Sequence, residues 1–137
     1  MEIPKIVYHG TFWPESRGGY PKVLETDFGY VSATPDRRWA WYFATNARWR
    51  HREEAGSLLI LEIDTDKLPP EVRQGCASPR QLDTRSGHLD DEEWRQDRIK
   101  VQEWRFPYVP LEAVTKIEEE RRGAQPKMSL LDFRPPR

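Results

Sequence analysis

The stretch Lys5–Thr11, KIVYHGT, read with Phe28–Ala44, FGYVSATPDRRWAWYFA, decides how this chain folds. The first is a run of β-branched and aromatic residues bounded by Pro4 and Gly10, which predicts a strand within Ile3–Thr11. A period of two puts Val7, His9 and Thr11 on one face and Ile6, Tyr8 and Gly10 on the other. A histidine beside a residue with no Cβ at a strand end is either an inert, hydrogen-bonded terminus or the rim of a cleft. The second stretch predicts a strand over Gly29–Ala33 and then a helix start at Thr34-Pro35-Asp36, with Thr34 as cap and Pro35 in the first helical position. It carries Tyr30, Ser32, Thr34 and Tyr42, and the two stretches together predict a cleft.

The helix is expected over Pro35–Arg52, with Trp39, Ala40, Phe43 and Ala47 as a stripe for burial. Arg37, Arg38, Arg48, Arg50 and Arg52, interleaved with Trp41 and Trp49, are expected on its other side. That side is either a solvated face or a surface that tracks phosphates and stacks bases. Pro14, Gly18, Gly19 and Pro21 make Phe12–Asp27 a loop bearing Trp13 and Tyr20. Ser57–Asp64, SLLILEID, is apolar almost throughout, as a central strand covered on both faces should be.

Lys67–Gln81 contains Pro69, Pro70, Gly75 and Pro79 and predicts a connection with at most a short helix. Thr84–Asp97 is either a second helix or a loop. Arg98–Phe106, RIKVQEWRF, predicts a strand with Ile99, Val101 and Glu103 on one face, so Glu103 must meet a cleft or an arginine partner. Pro107 and Pro110 end it, a turn at Leu111–Ala113 follows, and Val114–Glu118 is the last expected strand. Residues 1–122 are therefore read as the domain and 123–137 as a C-terminal tail whose Leu130, Leu131 and Phe133 dock either on the domain or on a partner.

A length of 137 residues predicts one core, and the recurrence of strands around one convincing helix predicts an α+β domain with a mainly antiparallel sheet or two packed sheets. With 22 Lys plus Arg against 23 Asp plus Glu, net charge selects no class of partner. A single Cys excludes an intrachain disulfide, and three scattered His make no metal-binding spacing, so no metal is expected. No apolar run approaches the ~18 residues of a membrane span, which predicts a soluble, cytoplasmic protein without a membrane partner. Phosphate-loop and nucleophile-elbow motifs are absent, which argues against a doubly wound nucleotide-binding fold.

The order Tyr8-His9-Gly10-Thr11, Gly29-Tyr30-Val31-Ser32, Ala40-Trp41-Tyr42 and then a strand bearing Glu103 resembles the ADP-ribosyltransferase superfamily in its His/Tyr/Glu branch, to which diphtheria toxin and the poly-ADP-ribose polymerases belong. The likeness spans roughly residues 6–118. It implies two packed, mainly antiparallel sheets forming an NAD cleft, with NAD as co-substrate. It also implies roles: His9 on the adenine-side ribose, the Gly10 backbone on the nicotinamide carboxamide, Tyr42 stacked on the nicotinamide, and Glu103 on the nicotinamide ribose. His9, Tyr30 and Glu103 would be catalytic, with Thr11 and Ser32 also against the cofactor. An aromatic face suits a cationic nicotinamide, and a carboxylate suits a sugar developing positive charge.

The loop before the family glutamate often selects the target, which makes Trp94 the candidate contact, with Arg48 on the basic helix side. The expected activity is transfer of ADP-ribose to a macromolecular acceptor, nucleic acid or protein, in a toxin-like effector that leaves room for an antitoxin or inhibitor protein. An RNA 2′-phosphotransferase using NAD, and a non-catalytic NAD- or nucleic-acid-binding module, share the same resemblance.

Overall fold

The computed structural model describes residues 3–19, 23–24, 29–81 and 102–125. In chain order these form strand β1 (Ile6–Pro14), β2 (Val23–Leu24), β3 (Val31–Ala33), helix α1 (Arg37–Arg50), β4 (Gly56–Asp64), the short helix α2 (Pro70–Gln74), β5 (Ala77–Gln81), β6 (Gln102–Phe106), β7 (Val109–Pro110) and β8 (Val114–Arg122). Glu15–Arg17, Thr65–Lys67 and Leu111–Ala113 are single 3-10 turns. The chain is mixed α+β with antiparallel sheets and few helices, as composition and strand recurrence predict.

Strand β4 lies at the centre of a three-stranded sheet ordered β1-β4-β8, and β6 at the centre of a second ordered β3-β6-β5. The apolar run in β4 divides its side chains by the period of two. Leu58 and Ile60 join Phe12 and the small residues Ala40 and Ala44 of α1 on one face. Leu59, Leu61 and Ile63 join Val7, Val31, Trp104 and Phe106 on the other. The first sheet is thus sandwiched between α1 and the second sheet, which is why its central strand must be apolar on both faces.

Several boundaries differ from expectation. Strand β1 runs on through Pro14, because β4 begins at Gly56 and supplies a partner for Trp13 and Pro14. The helix is capped by Asp36, whose carboxylate accepts from the Arg38 N–H at 2.9 Å, and not by Thr34. Thr34 is engaged elsewhere, in a backbone bridge to Tyr8. Strand β5 was masked in the sequence by Pro79 and Gly75, but an edge strand tolerates proline. Strand β8 extends four residues beyond Glu118, to Arg122, since a charged edge exposed on both faces gives no apolar alternation to read. Tyr20, Trp94, Ile99 and Val101, and residues 126–137 of the tail, fall outside the described residues.

Gly10 fixes how closely α1 approaches the first sheet. A Cβ placed there would lie 1.7 Å from the carbonyl oxygen of Ala40 and 2.6 Å from its carbon, so backbone would collide with backbone. Only glycine permits this contact. Gly10→Ala is therefore expected to lower stability by about 3 kcal/mol, measured by urea unfolding, through displacement of α1. A variant as stable as wild type would show that the helix moves away at no cost.

Candidate active site

The site begins where two strands part. The Tyr8 N–H donates to the Thr34 carbonyl at 2.7 Å and the Thr34 N–H to the Tyr8 carbonyl at 2.9 Å, an isolated antiparallel bridge between β1 and the residue after β3. In an antiparallel ladder, backbone groups alternate sides along a strand. Since Tyr8 turns its groups away from β4, Gly10 and Phe12 do so too, while Val7, His9 and Thr11 bond to β4. Beyond the bridge the N–H and C=O of Gly10 therefore line an open sheet edge. That edge is the floor of a cleft of about 580 Å³, walled by His9, Thr11, Tyr30, Ser32 and Glu103 on one side and by Ala40, Phe43 and Ala47 of α1 on the other.

His9 shares the face of Val7, so its ring points toward the second sheet. Its Nδ1 lies 2.6 Å from the Ser32 carbonyl oxygen. A carbonyl only accepts, so Nδ1 carries the proton and Nε2 keeps a lone pair. Burial holds the His9 pKa below 6.5, with the Ser32 bond opposing the shift. The ring is thus a neutral hydrogen-bond acceptor at neutral pH.

Ser32 ties the second sheet to the same point. Its hydroxyl donates to Glu103 Oε2 at 2.7 Å, and Arg105 Nε donates to Glu103 Oε1 at 2.6 Å. The Glu103 side chain keeps 14% exposure, toward the cleft. The strand phase differs from the one that placed Glu103 on the inward face with Ile99 and Val101: in β6 the core face is that of Trp104 and Phe106. Glu103 and Arg105 share the opposite face, and Glu103 meets both a cleft and an arginine. The Arg105 guanidinium also sits 4.2 Å from the centroid of the Tyr30 ring, so one cation fixes a carboxylate and an aromatic together.

His9, Gly10, Thr11, Tyr30, Ser32 and Glu103 are thus brought to one cleft, although β1, β3 and β6 are far apart in the chain. Tyr42 is not among them. It is only 8% exposed, 5.7 Å and edge-on from the Trp39 ring, and the helix turns the next residue, Phe43, into the cleft instead. Of the stripe read for burial, Trp39 and Ala40 are buried as expected, and Ala40, Phe43 and Ala47 also form a wall of the cleft.

Arg48 is likewise not a surface contact. It is 7% exposed, lies over the Phe12 ring, and donates to the carbonyls of His51, Glu54 and Gly123. Trp94 lies outside the described residues. Arg105 was missed, although its position two residues from Glu103 on the same strand face was a readable signal. Arg17, at the cleft mouth, carried no such signal, whereas Arg50, read on the basic side of the helix, lines the same mouth. Among the described residues no three His, Cys, Asp or Glu side chains gather as a metal-holding group, and no helix is long and apolar enough to cross a membrane.

Two measurements probe this arrangement. As pH falls, unfolded His9 takes up its proton near 6.5 and folded His9 only below it, so its contribution is complete above 6.5 and is lost between 6.5 and the lower folded value. Acidification across that window should lower Tm more in wild type than in His9→Asn, whose amide keeps the bond to Ser32 but does not titrate. Arg48→Met should cost about 2–3 kcal/mol in urea unfolding, because it removes the buried donor shared by the His51, Glu54 and Gly123 carbonyls. Compared with protein-family models, with curated proteins and with solved structures, the chain matches none.

Proposed function

We propose that this chain is an NAD-dependent mono-ADP-ribosyltransferase with an ADP-ribosyltransferase-like fold, moving ADP-ribose from NAD to a macromolecular acceptor and releasing nicotinamide. The observation that carries the reading is the convergence of His9 and Glu103 on Ser32, through its carbonyl and its hydroxyl, at the wall of one cleft beside the open edge of Gly10.

The donor and acceptor inventory fits the co-substrate. His9 Nε2 is an acceptor suited to a ribose hydroxyl. The Gly10 N–H and C=O form a donor and acceptor pair of the kind a primary carboxamide requires. Tyr30 and Phe43 supply aromatic surface for a flat, cationic ring. NAD brings a glycosidic bond whose electrons leave with the nicotinamide nitrogen, while the acceptor's nucleophile takes the sugar carbon and gives up its proton. This chain's part is electrostatic and positional. Glu103 offers negative charge where the sugar becomes positive, and its carboxylate is exposed toward the cleft where a sugar hydroxyl would lie. Ser32 and Arg105 prevent the carboxylate from rotating away, so its orientation is set before the ligand arrives.

Incubation with NAD should release nicotinamide, and Glu103→Gln should slow that release on the order of 100-fold with little change in NAD affinity. Labelled NAD in a cell lysate, followed by nuclease or protease treatment, identifies the acceptor class. NAD binding without nicotinamide release, the same in wild type and in Glu103→Gln, would overturn the transferase in favour of a binding module.

A further inference from the structure

We propose that Arg17 and Arg50 form a phosphate-binding site at the mouth of the cleft. Most arginines of the described chain are already matched. Arg37, Arg38, Arg73, Arg105, Arg121 and Arg122 each stand within ion-pair distance of a carboxylate. Arg48 is bound to carbonyls, and Arg52 folds over the Trp49 ring at 4.7 Å. Arg17 and Arg50 are exposed, line the same cleft, and have no carboxylate partner among the described residues. In a chain with one more acid than base, two guanidiniums at a cavity mouth with no carboxylate partner among the described residues mark that mouth as anion-seeking.

The two side chains are held on braced supports. The Arg17 guanidinium lies 4.8 Å from the Trp13 ring centroid, and the Trp13 indole N–H donates to the Gly18 carbonyl at 2.8 Å. The turn that carries Arg17 is tied to the segment beyond α1 by the Glu15 N–H, which donates to the Ala55 carbonyl at 2.9 Å. Arg50 belongs to the last turn of α1, where the helix dipole by itself repels anions. Arg48 offsets this, donating to the His51 and Glu54 carbonyls just past that end. A guanidinium fork matches phosphate oxygens in shape and charge. The phosphate comes either from the diphosphate of a dinucleotide lying in the cleft or from the backbone of a single-stranded nucleic acid crossing its mouth.

Calorimetry on the full chain with ADP-ribose, and separately with a short single-stranded oligonucleotide, decides the matter. ADP-ribose has no nicotinamide to release, so the result is independent of whether the chain is a transferase. Arg17→Gln and Arg50→Gln should each weaken binding about 5-fold, and together about 20-fold, at unchanged Tm. Lys116→Gln, on the distant edge strand β8, should change nothing. Loss of ADP-ribose binding in the double variant assigns the site to a dinucleotide diphosphate. Loss of oligonucleotide binding alone, with a salt dependence reduced by about one for each arginine, assigns it to a nucleic-acid backbone. A wild type that binds neither ligand, or a double variant that binds both as tightly as wild type, overturns the site.

Discussion

Two hydrogen bonds between Tyr8 and Thr34 govern the rest of the architecture. They bring β1 and the end of β3 into register for a single residue pair and then let them part. Had the pairing continued, the backbone of Gly10 would have been consumed by a neighbouring strand and the two sheets would have merged. Because it stops, one sheet edge is left facing a space enclosed by a second sheet and a helix. Gly10 is then constrained twice: its missing Cβ admits the Ala40 carbonyl, and its peptide groups border the cavity.

The polar groups of the site are arranged so that each defines the state of the next. The Ser32 carbonyl fixes which His9 nitrogen is protonated, the Ser32 hydroxyl holds one oxygen of Glu103, and Arg105 holds the other. Burial keeps the His9 ring uncharged, so its unused nitrogen is an acceptor and not a second cation beside Arg105. A part-enclosed carboxylate without such partners would be costly to desolvate. Here the compensation comes from the adjacent register position of the same antiparallel ladder, since Ser32 is paired directly with Arg105.

Much of this was legible in the sequence, and the failures have physical causes. The face of β1 that carries His9 and the doubly covered β4 followed from period-two patterning. The helix exposed the limit of that reasoning. Tyr42 and Phe43 are adjacent, each is compatible with an aromatic-lined cavity, and only the roll of α1 on the sheet chooses between them. Arg48 read as surface because an arginine on a helix normally is. Its burial is set by carbonyls at His51, Glu54 and Gly123, partners that no periodicity announces. In β6 the alternation was correct and its sense was inverted, since Trp104 and Phe106 outweigh whatever precedes them.

The order of strands in the first sheet also shapes how the chain reaches its native state. The most apolar strand, β4, lies between partners drawn from opposite ends of the described sequence, with Val7 matched to Ile63 and Leu61 to Ile117. Neither side of β4 is covered by a local hairpin. Such non-local closure makes for slow folding. During synthesis Leu58–Ile63 emerges with β1 already available but must wait for Val114–Arg122 before its second edge is paired. In that interval a bare, greasy strand edge is presented to other nascent chains, the kind of surface through which partly folded chains aggregate.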